Sequence, residues 1–174
     1  MKKLFWVLIL ITALALIGCG ETVKPEKVDP SDPSEETGGA SAEKYVVGDT
    51  VKMGDLQFTL NGVRYEKGSE FWKPDEGTKW LVFDCTLENK GSESEAVSSL
   101  LMFTLYDADS YTKDIAVADN LKGSLDGELG AGRKMAGEVA FTVNEGESEW
   151  EFVFEPQIFG FGQAIYDVLA DDVK

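Results

Sequence analysis

Histidine is absent from all 174 residues. Its absence removes Ser-His-Asp and Cys-His catalysis, imidazole metal ligands and the commonest general base. Carboxylate, lysine or tyrosine chemistry is what remains. Cysteine is nearly as scarce, with two residues, Cys19 and Cys85. Basic residues are outnumbered by acidic ones, 16 against 32, for a net charge of −16. Such a chain is repelled by nucleic acid and by anionic membrane surfaces, which excludes both as electrostatic partners. The acidic excess reads first as a solvated surface and second as a cation-binding one. No stretch keeps a helical period. What is present is enough for a core: 43% hydrophobic and 11% aromatic residues, well away from a disordered composition.

The first apolar run, Leu4 to Ile17, follows Met1-Lys2-Lys3. It is shorter than the roughly 20 residues that span a bilayer, and a short apolar run behind lysines reads as a secretory signal. The run ends in Leu16-Ile17-Gly18-Cys19. That tetrad resembles the lipobox of bacterial lipoproteins. In that family the cysteine sulfur takes a diacylglyceryl group, a peptidase cuts before it, and the new amino terminus can be acylated. The resemblance implies a signal peptide over 1–18, lipid on Cys19 and a membrane held through that lipid. Each buried methylene stabilises by about 0.8 kcal/mol, so two or more chains anchor firmly where one is marginal. The competing readings are an uncleaved anchor and an ordinary signal peptide. Cleavage would remove Lys2 and Lys3, leaving 14 basic against 32 acidic residues and a charge of −18.

Residues 19–44 carry three of the five prolines (Pro25, Pro30, Pro33), Gly38-Gly39 and almost no large apolar side chain. They read as a disordered tether. As a coil of about 25 residues its ends would average roughly 25–30 Å apart. From Tyr45 the pattern changes to short alternating runs. Leu56, Phe58 and Leu60 share one face, as do Leu81, Phe83, Cys85 and Leu87, then Val139, Phe141 and Val143, then Trp150, Phe152 and Phe154. Period two across four runs predicts half-buried strands, and "SLLMFTLY" reads as a fully covered one. Turn signals separate them, among them Asn89-Lys90-Gly91, Asp107-Ala108-Asp109, Gly130 with Gly132, and Asn144-Glu145-Gly146. The expectation is an all-β, antiparallel sandwich of about 7–9 strands over 45–174.

Three blocks, "GDTVKMGDLQFTLNGVRY", "KPDEGTKWLVFDCTLENKG" and "GSLDGELGAGRKMAGEVAFTV", followed by "EFVFEP", resemble an immunoglobulin-like extracellular domain. That domain, a family of unknown function with immunoprotective extracellular antigens among its relatives, occurs in lipoproteins of Gram-positive bacteria. The resemblance runs from about Val47 to Val168. It implies an immunoglobulin-like sandwich displayed outside the membrane, and no catalytic residues or cofactors.

Several stretches invite chemistry. "GELGAGRK" (Gly127 to Lys134) is one residue short of a P-loop and lacks the hydroxyl after lysine. It reads as a turn, with Gly130 and Gly132 at positive φ, and nucleotide is not expected. Asp107 and Asp109 resemble the start of a calcium loop, but Tyr111, Thr112 and Ala118 stand where its ligands and glycine belong. A looser metal site from Asp107, Asp109 and Asp126 is the weak alternative to a hairpin turn. Cys85 lies on an apolar strand face and reads as core. The loop "EFWKPDEG" holds Glu70, Phe71 and Trp72 as ligand-contact candidates. Adjacent residues of an extended segment point opposite ways. The expectation is that both rings plug the end of the sandwich, since large exposed aromatics are uncommon on monomers.

The function these features point to is a lipid-anchored extracellular binding module, with an envelope protein or a glycan as partner. A structural envelope lipoprotein is the alternative, and a carboxylate-dependent hydrolase comes third.

Overall fold

The computed structural model describes residues 25–27, 44–156 and 162–174. The strands in chain order are β1 (Glu26–Lys27), β2 (Lys44–Tyr45), β3 (Thr50–Met53), β4 (Leu56–Glu66), β5 (Thr78–Asn89) and β6 (Glu95–Val97). A helical turn, α1 (Ser99–Met102), precedes β7 (Phe103–Asp107), β8 (Ile115–Ala116), β9 (Gly127–Leu129), β10 (Lys134–Asn144), β11 (Glu149–Phe154) and β12 (Ala164–Leu169). One sheet runs β1-β3-β4-β5-β10-β8, a second β2-β12-β11-β7, and β6 pairs with β9. All pairs between these strands are antiparallel except β2 with β12. The fold is a β-sandwich.

The alternating residues build the core. Phe58, Phe83 and Phe141 of the first sheet meet Phe103, Phe152, Phe154 and Tyr166 of the second, all within 3% of complete burial. Phe83 stacks on Phe152 at 4.2 Å between centroids, and Phe58 on Phe154 at 4.4 Å. Such pairs contribute about 0.5–1.5 kcal/mol each beyond area burial. A bulge between Leu60 and Gly62 shifts the phase of β4. The inward set therefore continues as Val63 rather than Gly62. The extra residue, Asn61, donates to Asp84 Oδ1 at 3.0 Å and to Thr86 Oγ1 at 2.9 Å.

The outer face of the first sheet is not uniformly polar. Trp80, Val82, Ala116 and Ala140 form a second small core, with Ala118 and Leu121 laid over it. The 121–125 segment can lie this close because two glycines face each other, Gly123 bridging Gly137. A Cβ on Gly137 would come within 2.7–3.0 Å of the Ser124 backbone. Beside them Glu138 is buried against Arg64, with Nη2–Oε2 at 2.9 Å and Nε–Oε1 at 3.2 Å.

Three sequence expectations change. "SLLMFTLY" is not one covered strand: α1 leaves Leu100 and Leu101 exposed and only Met102 onward turns inward. In "GELGAGRK" the positive-φ glycines are Gly127 (126°) and Gly132 (68°), not Gly130. That stretch is β9, a turn and the first residue of β10. Asn89 stitches the turn to β5, its amide donating to Arg133 O and its carbonyl accepting from Gly132 N, both at 2.9 Å. Finally, two residues assigned to the tether, Glu26 and Lys27, pair with β3, and Lys44 belongs to β2.

Candidate functional site

The β4–β5 connection, Lys67 to Gly77, is held at both ends and at its middle. Glu66 Oε1 accepts from Lys67 N at 2.9 Å and Gly68 N at 3.0 Å. Gly68 has φ 70°, and any Cβ there would strike the Trp72 backbone and lie 2.9 Å from the Trp80 ring. Only glycine lets the loop fold back over Trp80. Ser69 N donates to Trp72 O at 2.7 Å, and Trp72 N to Ser69 Oγ at 3.2 Å. The Trp72 indole N–H donates to the Val117 carbonyl. Thr78 N and Oγ1 both donate to Asp75 O, at 3.0 and 2.8 Å.

The loop does not plug the sandwich. Phe71 is 92% exposed and Trp72 52%. The segment is a tight bend rather than an extended strand, so the two rings are not forced to opposite sides. The true plug on this side is Trp80, which sequence alternation gives no reason to single out. Glu70 is exposed on the same bend. Val117, 76% exposed, adjoins Trp72 through its carbonyl.

Beside the loop lies an open recess of about 710 Å³, lined by Tyr65, Lys67, Lys73, Glu76, Lys79 and Glu145 among others. Lys79 Nζ stands 4.6 Å from the centroid of the Tyr65 ring, a cation–π contact. The β10–β11 turn closes the recess, Glu145 N donating to Gly77 O at 3.0 Å. The chemistry offered is an apolar tip with ammonium and carboxylate groups at its rim. Sequence reasoning reached Glu70, Phe71 and Trp72 but missed Tyr65, Lys79 and Glu145. These come together only through strand register, which no local pattern displays.

Two of the three acidic candidates are occupied elsewhere, and the third, Asp109, is exposed on the turn. Asp107 accepts from the amides of Asp109 and Tyr111 at 3.0 and 2.9 Å and pairs with Lys113 at 2.7 Å. The Lys113 ammonium holds the Asp107 carboxyl below its ordinary range. Lys113 also binds Glu147, so its charge is taken up by two carboxylates. Asp126 instead accepts from Ser99 N and Oγ at 2.8 and 2.9 Å, fixing the start of α1. Among the described residues no group of three acidic or cysteine side chains is placed to hold a metal. Cys85 is fully buried, and burial together with nearby Asp84 and Glu138 pushes its thiol well up. A buried thiol of this kind is inert. Leu16, Ile17, Gly18 and Cys19 lie outside the described residues. Among the described residues no helix is long and apolar enough to cross a membrane.

Residues 45–165 match the family described as "Domain of unknown function (DUF4352)". The chain belongs to that family. No curated protein matches it significantly. Solved structures with the same fold include YcdA of Bacillus subtilis, described as a candidate lipoprotein, at 20% identity and a TM-score of 0.56. The match covers 77% of this chain and 40% of YcdA, so the chain spans well under half of that protein's length. An uncharacterised β-sandwich protein of Clostridium difficile 630 aligns at 10% identity, TM-score 0.54, over 77% of this chain and 99% of its own. The secreted protein MPT63 of Mycobacterium tuberculosis aligns at 13% identity, TM-score 0.53, over 73% and 99%. At these identities the likeness is one of fold. Nothing in the family or these neighbours points to catalysis or to a specific ligand.

Proposed function

We propose that the chain is a lipid-anchored, extracellular binding module of immunoglobulin-like type, held at a Gram-positive membrane through Cys19. Its contact surface is the β4–β5 loop, and its partner is a protein of the envelope or cell exterior. The observation that carries the reading is Phe71, 92% exposed at the tip of a loop fixed by internal hydrogen bonds. A large aromatic presented on an immobilised loop loses little entropy on binding, and aromatic anchors of this kind dominate protein interfaces. The envelope location draws on the lipobox tetrad and on fold neighbours that include a candidate lipoprotein and a secreted protein.

Crosslinking in the source cell tests it. A partner captured by the native chain and by a Leu100→Ser control, but lost in Phe71→Ser, supports the reading. Equal capture by all three refutes the loop as the contact surface. Retention on isolated wall polysaccharide, lost in Phe71→Ser, would make the partner a glycan instead. Cys19→Ala should release the protein from membranes, and continued detergent-dependent fractionation of that variant would sink the anchor.

A further inference from the structure

The tether does not leave the sandwich at an arbitrary point. Glu26 pairs with Lys52 and Lys27 with Val51. Lys52 in turn faces Gln57 of β4, and Val51 faces Phe58. Stepping back from Lys27 to Glu26 therefore moves along β4 toward Leu56. Pro25 therefore precedes β1 at the end of the sheet that holds the Gly54-Asp55 turn and Asn89, which faces Leu56. The β4–β5 loop starts at the other end. Glu66 lies nine positions past Gln57 (66 − 57), about 30 Å at roughly 3.3 Å per residue. Cys19 is six residues before Pro25 (25 − 19), a reach of at most about 21 Å.

With β1 paired, the chain from Pro25 to Cys19 is too short to bring the anchor to the aromatic loop. The pairing is braced. Lys27 Nζ lies 2.9 Å from Asp49 Oδ2, and the same oxygen accepts from Val46 N at 3.1 Å, so Asp49 is oriented by its own turn. We infer that the Glu26–Lys27 strand sets the domain's orientation on the membrane, anchor at one pole and the Phe71-Trp72 loop at the other. This rests on the lipid anchor and contact loop proposed above. It turns the loop away from the anchor point, suited to a protein arriving from outside. The spacer between lipid and fold is then six residues long, not the whole tether.

Spin labels on the full chain test the pin and the orientation separately. Cys85 is buried, and the distance measurements use a Cys19→Ser background, so the introduced cysteines are the labelling sites; in the lipidated chain used with liposomes the Cys19 sulfur is already taken by the lipid. Labels at Glu26→Cys and Asp55→Cys should lie about 15 Å apart or less, and labels at Glu26→Cys and Glu70→Cys about 30 Å or more. Adding Lys27→Glu should broaden both distributions. Broad, similar distributions in the parent pairs would overturn the pin. In liposomes carrying a nickel-chelating lipid, the Asp55→Cys label should relax strongly and the Glu70→Cys label weakly. Equal or reversed relaxation overturns the orientation even where the distances hold. Failure of the native chain to float with liposomes refutes the anchor, and with it the orientation, while the spin distances still report the pin.

Discussion

Replacing Arg64 with Met should expose how much of this fold's stability rests on one ion pair. Glu138 has a side chain only 3% exposed, and Arg64 reaches it with two guanidinium nitrogens while itself remaining 27% exposed. Lys122 N adds a third bond to Glu138 at 2.8 Å. Burial alone would raise the Glu138 carboxyl, but the Arg64 and Lys122 bonds outweigh it and hold the group below its usual range. Met keeps the apolar stem and removes the charge, leaving a buried carboxylate with a single backbone donor. Breaking a buried pair from one side costs about 3–5 kcal/mol. The partial exposure of Arg64 lowers this to or below the bottom of that range, about 2–3 kcal/mol.

The pH dependence has a definite sign. In the native chain the depressed Glu138 contributes stability that is present above its unfolded pKa, about 4.3, and is lost as pH falls through the folded value. In Arg64→Met the unpaired carboxyl is raised, so its penalty is full at neutral pH and is relieved as protonation proceeds. The gap between the two proteins should therefore be widest near pH 7 and narrow below about pH 4. Urea titration followed by tryptophan fluorescence, to which the buried Trp80 and Trp150 contribute, measures it at both pH values. A gap under about 0.5 kcal/mol at pH 7 would place the pair among surface ion pairs and refute the argument. So would a gap that does not change with pH.

Other outcomes follow from equally local features. Gly123→Ala should unfold the protein or lower its stability by several kcal/mol, because φ is 66° and the new Cβ would overlap the Ala136 carbonyl. Gly132→Ala, with φ 68° but open space around it, should cost only about 1 kcal/mol; similar losses for both would show that conformation rather than crowding dominates. Cys85 should resist thiol reagents in the native state and react on unfolding, with prompt native labelling as the contrary result. Millimolar calcium should leave the melting temperature almost unchanged, since Asp107 is engaged by Lys113 and Asp126 by Ser99. A rise of several degrees would mean the acidic turns hold the ion.

What could be read before the structure was the part encoded by nearest neighbours in sequence. Phe58, Phe83, Phe141 and Phe152 announce themselves by alternation, and all four are core. Val82 falls by the same alternation on the opposite face, with Asp84 and Thr86, yet it is fully buried. It is buried because the segment over Leu121 covers it, a contact set by two glycines rather than by period. Glu26 and Lys27 are two polar residues in a proline-rich stretch, with no apolar face to betray a strand. Their pairing comes from the backbone of an edge that would otherwise be bare. Phe71 was legible as a candidate contact but not as an exposed one, because its exposure depends on the bend at Gly68, where φ is 70° and the backbone passes close over the Trp80 ring.

The margins of both large sheets have a consequence for life on a crowded surface. The first sheet ends in β1 and β8 and the second in β2 at one side, each two residues long. At the other side β7 is partly covered by Thr112, which bridges Tyr106. A long bare strand recruits another copy of itself, and the hazard grows with local concentration. Molecules tethered to one plane, as proposed here, meet their neighbours far more often than molecules free in solution. Short and covered margins let many copies stand side by side without zipping together, and leave the aromatic loop free for a foreign surface to grip.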